Sequence, residues 1–157
     1  MLIGVVSDTH GFYDPRVPPL LKGVEHILHA GDIGKGRIIE QLTEIAPVTA
    51  VRGNNDWEGP ESEYPEVETL DLGGCLIYLT HIVKVPKEED EVGLEAYLDA
   101  KADVVVYGHS HFAFNEKRGE LTFFNPGAAG RRRFKVVPSI GLLELEPGRV
   151  KGRILVL

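Results

Sequence analysis

Five apolar runs in this sequence end on side chains that bind metal ions. Leu2 to Val6 leads into Asp8 and His10, and His26 to Ala30 leads into Asp32. Val48 to Val51 leads into Asn54, Cys75 to Thr80 into His81, and Asp103 to Tyr107 into His109 and His111. Three ligands directly follow a glycine: Gly31-Asp32, Gly53-Asn54 and Gly108-His109. Glycine permits a sharp turn just past a strand, so the next side chain can fold back over the sheet edge. Asp8/His10 and His109/His111 are spaced i, i+2, which puts both side chains of a pair on one side of an extended chain. Seven such residues, none a thiol, exceed a tetrahedral zinc site. Two Asp, four His and one Asn suit a pair of borderline divalent ions: Mn, Fe, Co, Ni or Zn. If one carboxylate bridges, the seven residues supply four positions per metal and leave room for water and substrate.

Short apolar runs that stop at turn residues predict buried strands. Leu2–Val6, His26–Ala30 and Val48–Val51 are the first three. Ile38, Ile39, Leu42, Ile45 and Ala46 recur at helical spacing within Lys35 to Ala46, and Pro47 ends that helix. Strand, connection, strand, helix, strand predicts a parallel sheet with crossovers. Pro15, Pro18 and Pro19 predict that the first connection holds only a short or irregular helix, around Val17 to Gly23. Trp57 to Pro65 reads as a loop. Glu66–Leu72 and Cys75–Thr80 predict a hairpin around Gly73-Gly74. Ile82 to Asp90 reads as a surface loop and Glu91 to Lys101 as a helix. The rest is β: Phe112–Lys117 and Glu120–Phe124 flank Arg118-Gly119, and Ile140–Leu145 and Val150–Val156 flank Pro147-Gly148. In open α/β sheets, ligands bind outside the carboxyl ends of the strands, so the seven residues are expected to share one crevice.

The chain has 157 residues, 43% hydrophobic and 26% charged, which excludes disorder, a collagen-like chain and a disulfide scaffold. One domain over 1–157 is expected. The net charge of −7 argues against an extended nucleic-acid partner or an anionic membrane surface. Cys75 is the single cysteine, which excludes an intrachain disulfide and fits a reducing compartment. Residues 1–8 carry no basic segment before a short apolar run, and no stretch approaches the ~20 apolar residues of a membrane span. A cytoplasmic location is expected.

The motifs Asp8-Thr9-His10, Gly31-Asp32, Gly53-Asn54-Asn55-Asp56, Thr80-His81, Gly108-His109-Ser110-His111 and Asn125-Pro126-Gly127 occur in an order that resembles the calcineurin-like metallophosphoesterases. The short length and C-terminal hairpin are most similar to the small bacterial and archaeal phosphodiesterase branch, whose fold the vacuolar-sorting retromer subunit shares. The resemblance implies an α/β (α+β) fold: a four-layer αββα sandwich of two mixed sheets flanked by helices. It implies one metal held by Asp8, His10, Asp32 and His111. A second would be held by Asp32, Asn54, His81 and His109, with Asp32 bridging. It implies hydrolysis of a small phosphodiester by a metal-bridging hydroxide, with weaker monoesterase activity. The alternative is a protein-interaction scaffold of the same fold. A homodimer or higher homo-oligomer is compatible with this branch.

Two positions depart from the pattern. Asn55 stands where much of the superfamily has His; its amide can contact a phosphate oxygen but cannot pass on a proton, which favours substrates with good leaving groups. Ile82 follows His81 where the family often has Gly, which frees that loop to take another path. Other residues read as structural: His26 and His29 in or beside the second strand, and Cys75 as a small apolar filler. His29 has the alternative of supporting a metal ligand. Thr9 and Ser110 suit tight turns, with phosphate contact as the alternative. Arg131-Arg132-Arg133 reads as a solvated basic loop or oligomer contact, with a substrate clamp as the alternative. Glu88 to Glu91 reads as the acidic entry of the following helix.

Overall fold

The computed structural model describes residues 1–83, 97, 100–132 and 135–157. β1 (Leu2–Val6), β2 (His26–His29) and β3 (Val48–Ala50) run parallel, joined by α1 (Val17–Leu20) and α2 (Ile38–Thr43). β4 (Val67–Leu72), β5 (Cys75–Thr80), β6 (Val104–Val106), β7 (Phe114–Arg118) and β8 (Leu121–Asn125) follow, then β9 (Ser139–Glu146) and β10 (Arg149–Val156). They form two mixed five-stranded sheets, ordered β10-β9-β1-β2-β3 and β4-β5-β6-β8-β7.

The run-like strands are apolar throughout because both faces of each sheet are covered. Side chains alternate across a strand, so Ile3, Val5, Leu28 and Ala30 face one way. They join Ile77, Leu79, Val104, Val106 and Phe124 in a core between the sheets. Val6 and Ile27 face the other way, onto Val17 and Leu21 around α1 and Ile38 and Leu42 of α2. Val105 and Phe123 on the outer face of the second sheet pack with Tyr97 and Ala102. The edge-to-face ring of Tyr97, 5.8 Å from Phe123, covers that face. Most of the expected Glu91–Lys101 helix, residues 91–96 and 98–99, lies outside the described residues, as do residues 84–90 of the expected loop and Arg133.

The prolines do shorten the first helix: α1 has four residues, with prolines in its first turn. α2 is also shorter than its periodicity predicts, beginning at Ile38. Gly34 and Gly36, both at positive φ, hold the preceding residues out of helical geometry. The expected loop after β3 contains a single 3₁₀ turn, Pro60–Glu63. Leu72 pairs with Cys75 across Gly73-Gly74, both at positive φ, the geometry of a two-residue hairpin. The next hairpin turns one residue later than expected: Arg118 pairs with Leu121, so Gly119-Glu120 make the turn.

β1, β2 and β3 share a direction, and so do β5, β6 and β8. The loops after these strands therefore gather at two sheet edges, and the inter-sheet core brings those edges together. No helix among the described residues is long and apolar enough to cross a membrane.

Candidate metal centre

Two adjoining donor groups stand at this edge. Asp8, His10 and His111 form one, and Asp8, Asp32 and His81 the other, with the donor atoms of each within 4.8 Å of one another. His111 Nε2 lies 3.1 Å from Asp8 Oδ1 and 3.4 Å from His10 Nε2. Asp32 offers one oxygen to each side: Oδ2 is 3.9 Å from His10 Nε2, and Oδ1 is 3.5 Å from His81 Nε2. The His109 ring meets His81 edge to face, with centroids 5.3 Å apart. Asn54 is exposed and lines a cavity of about 300 Å³ with His81, Ile82 and Arg52. It makes no side-chain hydrogen bond among the described residues.

The i, i+2 pairs do not behave as an extended chain would. Asp8, His10, His109 and His111 all have φ between 47° and 66°, and Asp32 has φ 51°. Left-handed backbone costs a non-glycine residue about 1–3 kcal/mol, and such strain concentrates at functional sites. The turn also separates the histidines of the last pair: His111 joins Asp8 and His10, whereas His109 joins His81. Two of the glycines serve close approach and not the turn. A Cβ at Gly53 would overlap Asp32 Oδ1, and one at Gly108 would overlap the Ser7 hydroxyl. Neither has positive φ; Gly31 does, at 90°.

The carboxylates are held by donors from several loops. Asp8 Oδ2 accepts from the Ser7 hydroxyl at 2.6 Å and the His109 N–H at 3.1 Å. Burial pushes the Asp8 carboxyl up, against the Ser7 hydrogen bond and the nearby histidines. For Asp32 burial also opposes charge, but the adjacent His81 and the Asn55 donors outweigh it and hold its carboxyl well below the usual range. Asn55 donates its backbone N–H to Oδ1 at 2.9 Å and its side-chain amide to Oδ2 at 2.6 Å. His81 Nδ1 donates to the Ala30 carbonyl at 2.7 Å, so in the neutral ring Nε2 carries the lone pair that a metal ion would take.

Asp8 Oδ1 and His81 Nε2 are buried and have no hydrogen-bond partner. Orphaned polar atoms of this kind are costly without a ligand. Here they lie inside a set of imidazoles and carboxylates, which is chemistry suited to divalent cations. The donor set fits the metals that the residues imply.

Four further residues hold the ligand loops; Asp56 and Asn125 lie inside the motifs without an assigned role, His29 has ligand support only as its alternative reading, and Ser7 carries no signal in the sequence. Asp56, buried, accepts the backbone N–H groups of Ile33, Gly34 and Gly53, tying the β2 loop to the β3 loop. Asn125, at the end of β8, donates to the Gly108 carbonyl and the Ser110 hydroxyl and so holds the His109–His111 turn. Ser7 bridges Asp8 and the Ala30 carbonyl. His29 is fully buried, and burial lowers its pKa to about 4. Gly31 N–H donates to its Nδ1, so Nε2–H donates to Thr9 Oγ, which donates on to the Ile33 carbonyl. His29 touches no ligand carboxylate; it clamps the Asp8–His10 loop to the Gly31–Ile33 loop. The Cys75 thiol donates to the Glu146 carbonyl and is buried, as a packing residue would be.

Residues 1–148 match the calcineurin-like phosphoesterase superfamily domain. The chain belongs to that family. A probable metallophosphoesterase of Methanothermobacter thermautotrophicus is 32% identical over 164 residues, covering 99% of this chain and 92% of that protein. A phosphodiesterase of Methanocaldococcus jannaschii is 26% identical, covering 93% and 94%. Among solved structures, Vps29 of Entamoeba histolytica crystallised with zinc superposes with a TM-score of 0.75 at 25% identity, over 99% of each chain. An archaeal phosphodiesterase superposes at 0.70 and 24% identity, over 99% of this chain and 100% of that one, a likeness of fold. The two five-stranded sheets are thus the calcineurin-like α/β sandwich. Divalent metals belong to this phosphoesterase family, and the chain carries candidate metal-binding residues in Asp8, His10, Asp32, His81 and His111.

Proposed function

We propose that residues 1–157 form a single metallophosphoesterase domain that hydrolyses a small phosphodiester, with weaker action on monoesters. Asp8, His10, Asp32 and His111 would hold one divalent ion, and Asp32, Asn54, His81 and His109 a second, with Asp32 shared. The observation that carries this reading is the pair of buried atoms without a hydrogen bond, Asp8 Oδ1 and His81 Nε2, each facing another candidate ligand inside two donor groups that adjoin. Two such ions would make hydroxide available near neutral pH and offset charge on the phosphoryl oxygens. Mn, Ni, Fe, Co and Zn all suit the donors.

The chain's own residues supply the rest. Asn55 orients Asp32 with one amide hydrogen and has a second free for a phosphoryl oxygen. No proton donor for a leaving alcohol stands at Asn55, so diesters of acidic alcohols and phenols are the favoured substrates. The cavity beside Asn54 and His81 has room for a substituent of the ester. A cytoplasmic location suits the free Cys75.

The test is removal of metal with chelator, followed by Mn²⁺ or Ni²⁺ addition, with bis(4-nitrophenyl) phosphate and 4-nitrophenyl phosphate as substrates. Activity is expected to vanish and return with metal, and to be higher on the diester. Diester hydrolysis indifferent to metal removal refutes the reading.

A second reading, a protein-docking module, draws on the rim of the site. Trp57, Ile82 and Phe112 are 72%, 55% and 65% exposed, and each follows a candidate ligand by one to three residues. Full metal loading with no turnover on either ester would favour it.

A further inference from the structure

Six arginines among the described residues pair with a carboxylate: Arg16 with Asp14, Arg37 with Glu40, Arg52 with Glu66, Arg118 with Glu116, Arg149 with Glu146 and Arg153 with Glu144. Arg131 and Arg132 have no carboxylate partner among the described residues. They line the same cleft as Asp8, His10, His111 and Gly130. In a chain of 24 acidic residues and net charge −7, carboxylates are not scarce. Two guanidinium groups at one cleft without a carboxylate among the described residues are therefore a local arrangement.

The loop that carries them is fastened to the metal loop. Ala129 N–H donates to the Ser7 carbonyl at 2.8 Å, and Gly130 N–H to the Asp8 carbonyl at 3.1 Å. A Cβ at Gly130 would stand 2.7 Å from that same Asp8 oxygen, so the approach requires glycine. The Arg131 guanidinium lies over the Phe12 ring, 4.6 Å from its centroid. Stacking occupies the face of a guanidinium and leaves its edge, where the N–H donors lie, open to an anion.

Charge then selects the anion. In the proposed centre, the four positive charges of two divalent ions are offset by Asp8, Asp32, one hydroxide and the single negative charge of a diester. Nothing in that set needs Arg131 or Arg132. A terminal phosphate carries about −1.5 to −2 at neutral pH, which two guanidinium groups match.

We propose that Arg131 and Arg132 form a subsite for a second phosphoryl group, so that the substrate is a phosphodiester bearing a terminal phosphate beside the scissile one. This rests on the phosphodiesterase reading and names its substrate class. During hydrolysis one P–O ester bond breaks, a P–O bond to the water oxygen forms, and the leaving alcohol carries off a proton. The terminal phosphate stays intact and anchors the molecule.

Two chromogenic diesters that differ by one phosphate provide the test: thymidine 5′-(4-nitrophenyl phosphate) and its 3′-phosphorylated counterpart, assayed on the full chain with Mn²⁺. The added phosphate is expected to raise kcat/KM about tenfold or more, the scale of one charge-assisted hydrogen bond. In an Arg131→Gln/Arg132→Gln variant the ratio of the two substrates falls toward one. Calorimetric titration of thymidine 5′-phosphate and thymidine 3′,5′-bisphosphate is the companion measurement. The bisphosphate should bind about tenfold tighter to the wild type and with no preference to the variant. A ratio near one in the wild type, or a ratio unchanged in the variant, overturns the subsite. If neither diester is turned over, the phosphodiesterase reading fails and the titration alone decides the subsite. If the double variant loses its native circular dichroism, Arg132→Gln alone takes its place.

Discussion

Asp32 is the residue on which most of the centre depends. Its two oxygens face opposite histidines, and both accept hydrogen bonds from Asn55. Asp32→Ala should abolish diesterase activity more completely than loss of any other candidate ligand, because it would disturb both metals. Wild-type rate and metal content in that variant would disprove the shared role. Asn55→Ala should cost about 10–100-fold in activity or metal affinity, the usual effect of removing a residue that orients a ligand. Measurement of Mn²⁺ affinity beside kcat separates the two, since a pure phosphate contact would leave affinity alone.

His29 gives a residue-scale prediction about stability. Its pKa in the folded chain is about 4, against an ordinary value of 6.5. Below pH 6.5 the unfolded chain takes up a proton that the folded chain refuses, so this contribution is complete above pH 6.5 and is lost as pH falls toward 4. The slope is at most about 1.4 kcal/mol per pH unit. Urea unfolding in chelator at pH 7 and pH 5 should show a larger loss in the wild type than in His29→Asn. Equal losses would mean that His29 is not buried as a neutral ring.

At the scale of elements, the strands deliver the ligands and the loops after them aim them. That division explains what could be read early. The five runs that end on Asp8, Asp32, Asn54, His81 and His109 were legible because a strand buried on both faces is apolar throughout and stops abruptly. The aim was not legible. Spacing alone leaves an i, i+2 pair free to serve one metal or to split between two; the resemblance implied the split of His109 from His111, and the left-handed backbone of these loops is how the chain achieves it. Glycine's role also differed: at Gly53 and Gly108 the constraint is the space of a Cβ, which depends on a neighbouring loop distant in sequence. Gly108→Ala should therefore destabilise the fold by about 1–3 kcal/mol, as overpacking does. It should also weaken metal binding, because the added methyl presses on Ser7 and Asp8. A denaturation midpoint and Mn²⁺ affinity equal to wild type would show that the loop yields without cost.

For the whole molecule, burial disfavours the charge of the Asp8 carboxyl, which a cation beside it would offset. Metal binds the folded form and not the chain at large, so Mn²⁺ at about 100 times its Kd should add about 2.7 kcal/mol of stability. Scanning calorimetry with metal and with chelator measures this, and an unchanged Tm would argue against a built site. Imidazoles must be neutral to bind metal, so the stabilisation should shrink as pH falls below about 6.5.

Residue type and spacing already specified a parallel β/α opening, a β-rich remainder and strand ends rich in imidazole and carboxylate, because hydrophobic periodicity and ligand chemistry are local properties; the two-sheet sandwich was what the resemblance of the motifs implied. The tertiary structure decided which ligand faces which. It turned the Asn55 amide onto Asp32, enlisted His29, Asp56 and Asn125 as clamps, and set Arg131 and Arg132 beside Asp8, His10 and His111 without a carboxylate partner among the described residues. These outcomes depend on distances between loops far apart in sequence, and such distances exist only after the two sheets have packed.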